Sequence, residues 1–436
     1  MKIAVVGAGI AGLGALHRLA EQLNDQAVTF SLFEKQSWLG GHTHTVDVTL
    51  DGVTHGVDTG FLVFNRRTYP NLVALFERLD VPVAETDMSF SVSVYEGSRE
   101  LEWAGTNLDT VFAQRRNLVS PRFLRMLRDI LRFNREATAI ALANVESDET
   151  LGEFLSRRGY SNALRDWYLL PMAGAIWSCP TKTMLGFPML TFARFCHNHA
   201  LLQVEGRPKW ATVRGGARGY VQRLLAATPN VRQRPGATRI HPEANGVRVA
   251  MADGSSELFD YAVVCTHTDE ALALLDRPTV NEQSILGAIS YQSNKAVLHT
   301  DARVLPRRRS TWSSWNYVST GEGGDTASVA VNYLINQLQP VPFKQPVIVS
   351  LNPVQAIDAR QVLGEYDYMH PVIDRGAVAA QARLSTIQGA RRLWFAGAWA
   401  GYGFHEDGLK AGYAAADGVL AAIARDRATT FNARAA

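Results

Sequence analysis

The sequence predicts an α/β protein, and three observations carry that prediction. An apolar strand from Met1 to Val6 runs directly into a glycine-rich turn, and an apolar helix follows through Leu13, Leu16 and Leu19. A second apolar strand, Val28 to Phe33, comes next and completes a βαβ unit. The chain has 436 residues and is 47% apolar, so it is long enough to bury the cores of two or three lobes.

The glycine-rich turn, Gly7-Ala8-Gly9-Ile10-Ala11-Gly12, has the spacing of a dinucleotide fingerprint. Its first glycine permits a tight turn, its second lets a pyrophosphate approach the backbone, and its third lets helix and strand pack closely. Glu34 ends the second strand, near the distance at which an acid receives ribose hydroxyls, and it disfavours NADP. We therefore expect a Rossmann-type domain. Its expected cofactor contacts are Gly7, Gly9, Ile10, Ala11, Gly12, Glu34 and the neighbouring Lys35.

Composition and charge exclude several classes of protein. The formal net charge is +3 with 19% charged residues, which is too mild for a nucleic-acid-binding protein. Cys179, Cys196 and Cys265 lack the spacing of a disulfide pair or a metal site and indicate a reducing compartment. No apolar run reaches about 18 residues, the length of a membrane span. We expect a cytoplasmic protein without a metal.

A second glycine pair, Gly40-Gly41, precedes His42-Thr43-His44 and predicts a second loop beneath the same cofactor. An alternative assigns His42 and His44 to a metal, but no Cys, Asp or Glu stands nearby at ligand spacing. The cofactor loop is therefore the simpler interpretation.

A long helix is predicted after Ser120-Pro121, a pair typical of a helix cap and first turn. The helix carries a stripe of five arginines with an apolar side, and two interpretations stay open: a solvated face, or a face that rests on an anionic lipid surface. The stripe consists of Arg122, Arg125, Arg128, Arg132 and Arg135.

Two later segments, Trp167 to Trp177 and Leu185 to Phe195, are markedly apolar. Such segments either pack a second lobe or line a long apolar substrate cavity. Strand patterns with an Asp253-Gly254 turn then predict a β-ribbon between Val231 and Cys265, and Tyr291 to His299 predicts a further strand.

These motifs together resemble the FAD-binding amine oxidase and phytoene desaturase superfamily. The resemblance rests on Glu34 with the Gly40-Gly41 loop, on the Gly215-Gly216 turn before a helix, and on a terminal strand from Leu393 followed by a glycine-rich loop and a helix over Leu409 to Ala424. It implies FAD as the cofactor. It also implies a Rossmann-type FAD-binding domain of residues 1–80, 205–288 and 388–430, interleaved with an α+β substrate domain of residues 81–204 and 289–387.

The resemblance assigns further site residues. The expected additional FAD contacts are Gly40, Gly41, His42, Thr43, Ala237, Thr238, Gly397, Ala398, Glu406, Asp407 and Gly408. The expected catalytic residues are Lys295, where amine oxidases hold a water against the flavin, and His405 and Glu406 in the terminal loop. Lys295 is alternatively an ordinary strand lysine, and His405 and Glu406 alternatively cap the closing helix. Two positions depart from the common pattern of the superfamily, because His42 stands where it often has arginine and Ala398 where it commonly has glutamate.

A narrower likeness covers nearly the whole chain. Asp58-Thr59-Gly60-Phe61, Leu298-His299-Thr300-Asp301 and the loop Gly403 to Gly408 resemble oxidoreductases encoded beside cyclopropane-fatty-acid synthases. This likeness implies an enzyme that removes hydride from a fatty-acyl substrate. No second Gly-x-Gly-x-x-Gly is present for a nicotinamide, so we expect the electrons to pass to oxygen, a quinone or a carrier. The arginine stripe adds possible peripheral contact with an anionic membrane as an expectation. Three alternatives stay open: a redox-neutral double-bond isomerase, an amine oxidase, and a flavin-binding accessory of a lipid methyltransferase.

Overall fold

A computed structural model describes residues 1–23, 27–96, 99–143, 147–177, 184–203, 206–320 and 328–435. It has one parallel sheet of five strands and one mostly antiparallel sheet of seven strands, so the α/β class predicted from the sequence is confirmed. Cys196 and Cys265 are free and buried. Cys179 lies outside the described residues.

The parallel sheet contains the N-terminal strand at its centre. Strands and helices are numbered along the chain, and this sheet has the order β10-β2-β1-β14-β20. Ile3 to Val6 are buried on both faces, which explains the unbroken apolar run in the sequence. The strands are β1 (Lys2–Val6), β2 (Thr29–Glu34), β10 (Val231–Pro235), β14 (Tyr261–Val264) and β20 (Leu393–Phe395).

Two helices cover one face of the parallel sheet and pack along each other. They are α1 (Ile10–Gln22) and α14 (His405–Ala435), and their backbones approach so closely that a Cβ at Gly412 would overlap the carbonyl oxygen of Ala11. The closing helix therefore begins four residues before the predicted Leu409, which places His405 in its first turn. Two further helices, α2 (Pro70–Arg78) and α9 (Arg218–Ala226), join the same core.

An antiparallel ribbon and three helices cover the opposite face. The predicted ribbon is confirmed in its middle part, where the Asp253-Gly254 turn joins two strands. The two ends of the predicted range, Val231–Pro235 and Tyr261–Val264, pair in the parallel sheet instead. Val247 and Val249 pack against Val6 and Phe33 of the parallel sheet. These elements are β11 (Ala237–Glu243), β12 (Gly246–Met251), β13 (Ser256–Phe259), α10 (Thr268–Leu274), α11 (Val280–Leu286) and α13 (Arg375–Arg383).

The larger sheet is built from two separate parts of the chain, in the order β19-β15-β18-β17-β16-β7-β8. Strands β16 and β7 pair in parallel, and the other neighbours pair antiparallel. The strands are β7 (Phe90–Glu96), β8 (Arg99–Ala104), β15 (Tyr291–His299), β16 (Trp315–Thr320), β17 (Ser328–Leu334), β18 (Ile348–Leu351) and β19 (Val362–Pro371). This sharing supports the proposed interleaved division, whose boundaries remain a proposal.

Strand β7 differs from its sequence pattern. The alternation over Ser89 to Tyr95 predicts an exposed strand, but Ser91 to Val94 are buried because β7 lies between β16 and β8. The Ser91 hydroxyl donates a hydrogen bond to the side-chain oxygen of Asn316 at 2.8 Å, which allows a polar residue to be buried there. The alternating polar residues therefore did not indicate from the sequence that this strand belongs to the core.

Helices pack beside the larger sheet and complete the second core. They are α3 (Leu108–Val111), α4 (Pro121–Leu142), α5 (Leu151–Arg157), α6 (Asn162–Leu164), α7 (Leu170–Trp177), α8 (Met189–Asn198) and α12 (Ile335–Leu338). A 3₁₀ turn (Arg115–Val119) precedes α4, and a π-helical turn (Arg165–Leu169) precedes α7. Ser120 caps α4 as predicted, because its hydroxyl accepts a hydrogen bond from the Phe123 N–H at 3.4 Å.

Two small sheets link the larger units. One is the hairpin of β3 (Thr45–Leu50) and β4 (Val53–Asp58), and the other has the order β5-β9-β6. The strands of the second are β5 (Phe64–Asn65), β6 (Val83–Thr86) and β9 (Trp210–Val213). Further 3₁₀ turns are Ala302–Val304, Arg309–Thr311, Ala359–Gln361, Leu384–Thr386, Ala390–Arg392 and Ala398–Ala400.

Candidate active site

A cavity of about 1510 Å³ extends from the carboxyl ends of the parallel strands to the face of the larger sheet. Single ligand pockets commonly measure about 300–1,000 Å³, so this cavity has room for a large cofactor and a second molecule. Its first part is lined by the glycine-rich loops of the parallel sheet, and its second part by apolar side chains.

The fingerprint turn leaves an open cradle at one glycine. Gly7, Gly9, Ile10 and Ala11 line the cavity, and a Cβ built at Gly9 would meet no heavy atom within 4 Å. Gly12 is outside the lining, since a Cβ there would overlap the Gly7 carbonyl oxygen. The turn therefore keeps its shape through Gly12 and leaves space at Gly9, beside the N-terminus of α1.

Glu34 is held at the edge of the cavity by two backbone donors. The Ala8 N–H donates to its Oε2 at 2.8 Å, and the Gln36 N–H donates to its Oε1 at 2.9 Å. Each oxygen keeps a lone pair for a further donor such as a ribose hydroxyl. Lys35 also lines the cavity and pairs with Glu270.

The second glycine loop packs directly on the first. The Gly40 N–H donates to the Ala8 carbonyl at 2.9 Å, and a Cβ at Gly41 would lie 3.1 Å from the Gly9 Cα. His42 follows in the cavity wall, with its ring centroid 5.2 Å from that of Tyr368 and 5.3 Å from that of His370. Burial, and secondarily His370, lowers the pKa of His42 well below its usual value. His42 is therefore neutral and supplies no positive charge at this position.

The end of β20 and the start of α14 form the opposite wall. Gly397, Ala398 and His405 line the cavity, and the His405 ring stacks on Phe61 at 3.7 Å between centroids. The His405 Nε2 lies 2.9 Å from the Thr43 hydroxyl and 3.0 Å from the Tyr220 hydroxyl. Burial lowers the pKa of His405 to about 3, so its ring is neutral and fixed by these contacts.

The second part of the cavity is an apolar chamber between the larger sheet and helices α4, α7 and α8. Both apolar segments of the sequence contribute to it, since Met172, Ile176 and Phe195 line it together with Trp103 and Trp315. Every charged residue in the described lining of the whole cavity is exposed or half-buried, and none is fully buried. The interior of the chamber is apolar and aromatic.

Comparison with known families identifies the chemistry of this cavity. The model of the family "flavin containing amine oxidoreductase" matches residues 10–351. The chain belongs to this family. A comparison with curated proteins finds no match.

Solved structures of flavin enzymes have the same fold as this flavin-containing oxidoreductase. The CLA-producing fatty acid isomerase from P. acnes has a TM-score of 0.65 and 15% identity, covering 96% of this chain and 98% of that one. Cyclohexylamine oxidase from Brevibacterium oxydans IH-35A has a TM-score of 0.67 and 15% identity, covering 97% and 99%. Putrescine oxidase bound to putrescine has a TM-score of 0.67 and 14% identity, covering 97% and 99%.

FAD is the cofactor of this flavin-containing oxidoreductase, and the lining fits it. The open cradle at Gly9 gives a diphosphate access to the backbone beside the α1 N-terminus, and the Glu34 oxygens are placed to accept ribose hydroxyls. Ala237 lines the same end of the cavity, while the neighbouring Thr238 does not. Gly397 and Ala398 lie at the other end, where the flavin ring is expected.

Several residues predicted for the site lie elsewhere in this oxidoreductase. Lys295 is about half exposed, pairs with Glu365 at 2.8 Å and does not line the cavity. Glu406 points away from the cavity, where its carboxylate accepts the N–H groups of Asn71 and Leu72, both at 3.0 Å. The structure thus does not bring Lys295 or Glu406 to the cavity. The sequence could not show this, because tertiary packing decides which face of a strand and which side of a helix meets the cavity.

Three other predicted contacts stand behind the cavity wall. The Thr43 hydroxyl bonds Tyr220 at 2.5 Å and His405 rather than facing the cavity. The Asp407 carboxylate accepts the Phe404 N–H at 3.0 Å, and burial raises its pKa to about 6. Gly408 packs against Ile10. These residues support the loop that carries His405. None of the three lines the cavity in which FAD is expected.

Sequence reasoning missed two parts of the site. Asp58, at the end of β4, is buried and accepts the Ala217 N–H at 2.9 Å and the Gln339 amide at 2.5 Å, which ties the Gly215-Gly216 turn to the hairpin. On β19, residues 365–371 line the cavity, and Tyr366, Tyr368 and His370 occupy every second position among them. That period-two aromatic pattern was a usable signal in the sequence, whereas the partners of Asp58 are remote along the chain.

Within the described residues, no group of three His, Cys, Asp or Glu side chains is arranged to hold a metal ion. None of the helices in that part of the chain combines the length and hydropathy of a membrane span.

Proposed function

We propose that this FAD enzyme oxidises an apolar substrate with a fatty-acyl chain. The observation that carries the proposal is the chamber itself: its interior is apolar and aromatic, and no charged residue of the described lining is fully buried. A buried ammonium ion needs a paired charge, whereas an acyl chain gains free energy from leaving water, by about 0.8 kcal/mol per CH₂. The chamber therefore favours an acyl chain over a charged amine.

The proposed reaction is a dehydrogenation. One substrate carbon loses hydride, the neighbouring carbon releases a proton to water, and a carbon–carbon double bond forms. When bound, FAD supplies the two-electron acceptor for the hydride, and the electrons later pass to oxygen, a quinone or a protein carrier.

The residues of the chain contribute position rather than acid–base chemistry in this proposal. Burial lowers the pKa of His405 to about 3, far from a working pH, so His405 is a weak general base. Its contacts with Phe61, Thr43 and Tyr220 instead make it a rigid wall beside the expected flavin position. The sheet aromatics Trp103 and Trp315 and the helix residue Ile176 hold the acyl chain.

A second candidate is a redox-neutral double-bond isomerase, in which the hydride returns to another carbon of the same chain. It is favoured by the fold shared with a fatty acid isomerase and by the single Gly-x-Gly-x-x-Gly fingerprint in the sequence, which leaves no separate nicotinamide site. Both candidates use the same chamber and the same acyl substrate.

The deciding experiment is an anaerobic absorbance spectrum of the FAD-loaded protein. Acyl lipids with saturated, unsaturated, methylated or cyclopropane chains are added in one series, and amines in another. Bleaching of oxidised flavin by one acyl class supports the dehydrogenase, and a moved double bond without bleaching supports the isomerase. Bleaching by amines alone contradicts both candidates. If FAD binds but no acyl lipid bleaches the flavin or is itself converted, the role of a flavin-binding accessory protein becomes the better explanation.

Two variants sharpen this experiment. Ile176→Trp fills part of the chamber from a half-buried position and is expected to shorten the longest acyl chain that reduces the flavin. Lys295→Met removes a surface lysine paired with Glu365, so it is expected to leave reoxidation by oxygen unchanged. A strong loss of reoxidation in Lys295→Met would instead support the amine-oxidase role predicted for this lysine.

A further inference from the structure

Exposed apolar side chains are concentrated in one continuous segment, residues 108–142, which we call the docking segment. It comprises α3, the 3₁₀ turn and α4. Of the ten large apolar side chains that are strongly exposed in the described part of the chain, six belong to it. They are Leu108, Leu118, Val119, Leu124, Leu131 and Leu142, and Val119 is 81% and Leu108 76% exposed. Such a concentration on a water-facing surface marks an interaction site.

The docking segment also carries the positive charge of the molecule. It contains seven arginines against three carboxylates, a net charge of +4, while the whole chain has a formal charge of +3. The remaining residues therefore sum to −1. A guanidinium stays protonated at any physiological pH, so this charge is permanent.

The arginines of α4 are less uniform than the stripe in the sequence suggests. Arg122 stacks over Trp167 at 4.1 Å, Arg125 lies 3.9 Å from Asp129, and Arg132 pairs with Glu136 at 3.0 Å. Among the described residues, Arg128 and Arg135 have no carboxylate within ion-pair distance and are exposed. Two of the five arginines of the predicted stripe, Arg125 and Arg132, therefore have an acid of the same helix beside them, and Arg122 has an aromatic ring.

The two unpaired arginines share a helix face with exposed leucines. Leu124, Arg128, Leu131 and Arg135 follow one another at steps of four, three and four residues, and all four are exposed. Leucine and arginine together on one water-facing stripe are typical of a helix that lies in a lipid headgroup region, where the apolar side chains reach the acyl boundary and the cations meet lipid phosphates.

This face continues into the cavity. Leu108 and Leu131 are exposed and also line the cavity, and Val111, Leu127 and Ile130 line it beside them. The chamber therefore opens through the docking segment. An acyl chain that leaves a bilayer at this face would pass from one apolar surface to another.

We propose that the docking segment binds the surface of an anionic lipid bilayer and brings membrane acyl chains to the mouth of the chamber. Membrane binding is inferred from the exposed leucines and the unpaired arginines. The delivery of acyl chains to the chamber rests on the proposed function, in which the substrate is a fatty-acyl chain. A second copy of the chain is a poorer occupant, because two faces of charge +4 would repel each other.

The test is flotation of the FAD-loaded protein with vesicles of phosphatidylcholine, alone or mixed with phosphatidylglycerol, and no turnover is measured. Binding is expected on the anionic vesicles, weaker binding on neutral vesicles, and release from the anionic vesicles at high salt. Arg128→Gln with Arg135→Gln is expected to weaken binding by about fivefold for each arginine removed. The matched control, Arg66→Gln with Arg277→Gln, removes two exposed arginines outside the segment and is expected to bind like the unaltered protein.

A second set of variants tests the apolar part. The triple variant replaces three exposed apolar side chains that do not line the cavity, with the substitutions Leu118→Ser, Val119→Ser and Leu124→Ser. It is expected to bind anionic vesicles at least about tenfold more weakly than the unaltered protein. Val280→Ser with Leu363→Ser is the control, since both are exposed elsewhere. An unchanged flavin spectrum and melting temperature show that each variant is folded.

Two outcomes would overturn the proposal. One is equal binding to neutral and anionic vesicles, or binding that neither set of variants reduces. The other is self-association that the leucine variants abolish in the absence of vesicle binding, which would assign the face to a second copy. Flavin reduction by acyl chains dispersed in detergent tests the proposed function separately, so the two proposals can fail independently.

Discussion

Two glycines of the N-terminal turn have opposite requirements for space. A Cβ at Gly9 would meet no protein atom within 4 Å, and the backbone there has φ −72°, which alanine adopts without strain. We predict that Gly9→Ala leaves the melting temperature of the apoprotein unchanged and weakens FAD binding, since the methyl group occupies the cradle. Gly12→Ala should lower the melting temperature, because its Cβ overlaps the Gly7 carbonyl. Equal FAD affinity in Gly9→Ala would place the diphosphate elsewhere.

The Glu34 carboxylate should contribute to the binding of the adenosine part of FAD and should not contribute to the binding of the flavin part. Hydrogen bonds to a charged group contribute about 1.5–3 kcal/mol, so Glu34→Gln is expected to raise the Kd for FAD by about 10- to 100-fold. Fluorescence titration of the apoprotein measures this change. FMN lacks the adenosine ribose and serves as the control, with an expected Kd that the substitution does not alter. A parallel loss of FMN affinity would mean that Glu34 acts through the fold of the turn.

At the scale of elements, Glu406 joins two helices. Helix α2 begins with Pro70 and has no side-chain cap of its own, and the Glu406 carboxylate from the first turn of α14 accepts its Asn71 and Leu72 N–H groups. Glu406→Ala leaves these donors unsatisfied and is expected to cost about 1–3 kcal/mol in the free energy of unfolding, measured in urea. Glu406→Gln keeps one acceptor and should cost less.

The same two variants separate a structural role from a catalytic one. A capping residue changes stability and leaves kcat of the folded enzyme near that of the unaltered protein. If both substitutions abolish turnover while the unfolding midpoint stays fixed, Glu406 reaches the substrate in a state that the structure does not describe, and the capping account is wrong.

Local elements were predictable and their partners were not. The strand Lys2–Val6, the glycine turn and helix α1 follow from neighbouring residues, because apolar periodicity and glycine spacing are local properties. The position of Lys295 depends on which face of β15 meets the cavity, and that of Glu406 on a helix more than three hundred residues earlier in the chain. Neither partner leaves a signal near the residue itself, so the sequence could not show that Lys295 and Glu406 lie away from the cavity, whereas the third predicted catalytic residue, His405, does line it.

At the scale of the whole molecule, the site exists only because distant parts of the chain converge. The cavity takes Gly9 from the first strand unit, Ile176 from a helical segment, Tyr368 from the larger sheet and His405 from the closing helix. The sequence predicted the nucleotide end of this site, where one βαβ unit supplies most groups. It left the chamber open as an alternative to core packing, since an apolar side chain looks the same in either place.

Because several histidines are buried, the free energy of unfolding of the apoprotein should decrease as the pH is lowered. Burial strongly lowers the pKa of five of them: well below its usual value for His42, to about 4 for His199, His299 and His370, and to about 3 for His405. In the unfolded chain these groups bind protons below about pH 6.5, whereas in the native protein they stay neutral. Unfolding therefore takes up protons, and stability is lost as pH falls from about 6.5 towards about 4.

Two carboxyl groups act in the opposite direction without cancelling this loss. Burial raises the pKa of Asp58 and Asp407 to about 6, so these groups bind protons in the native state first and stabilise it as pH falls. Five histidines against two carboxyl groups leave a net uptake of roughly three protons on unfolding near pH 5, or about 4 kcal/mol per pH unit. Urea unfolding of the apoprotein across this range measures the slope. His299→Gln removes one histidine remote from the cavity, whose Nε2 lies 2.8 Å from the Ser350 hydroxyl, and should reduce the slope by about one proton. Stability that stays level or rises as pH falls through this range would mean that the histidines are charged, or exposed to water, in the native protein.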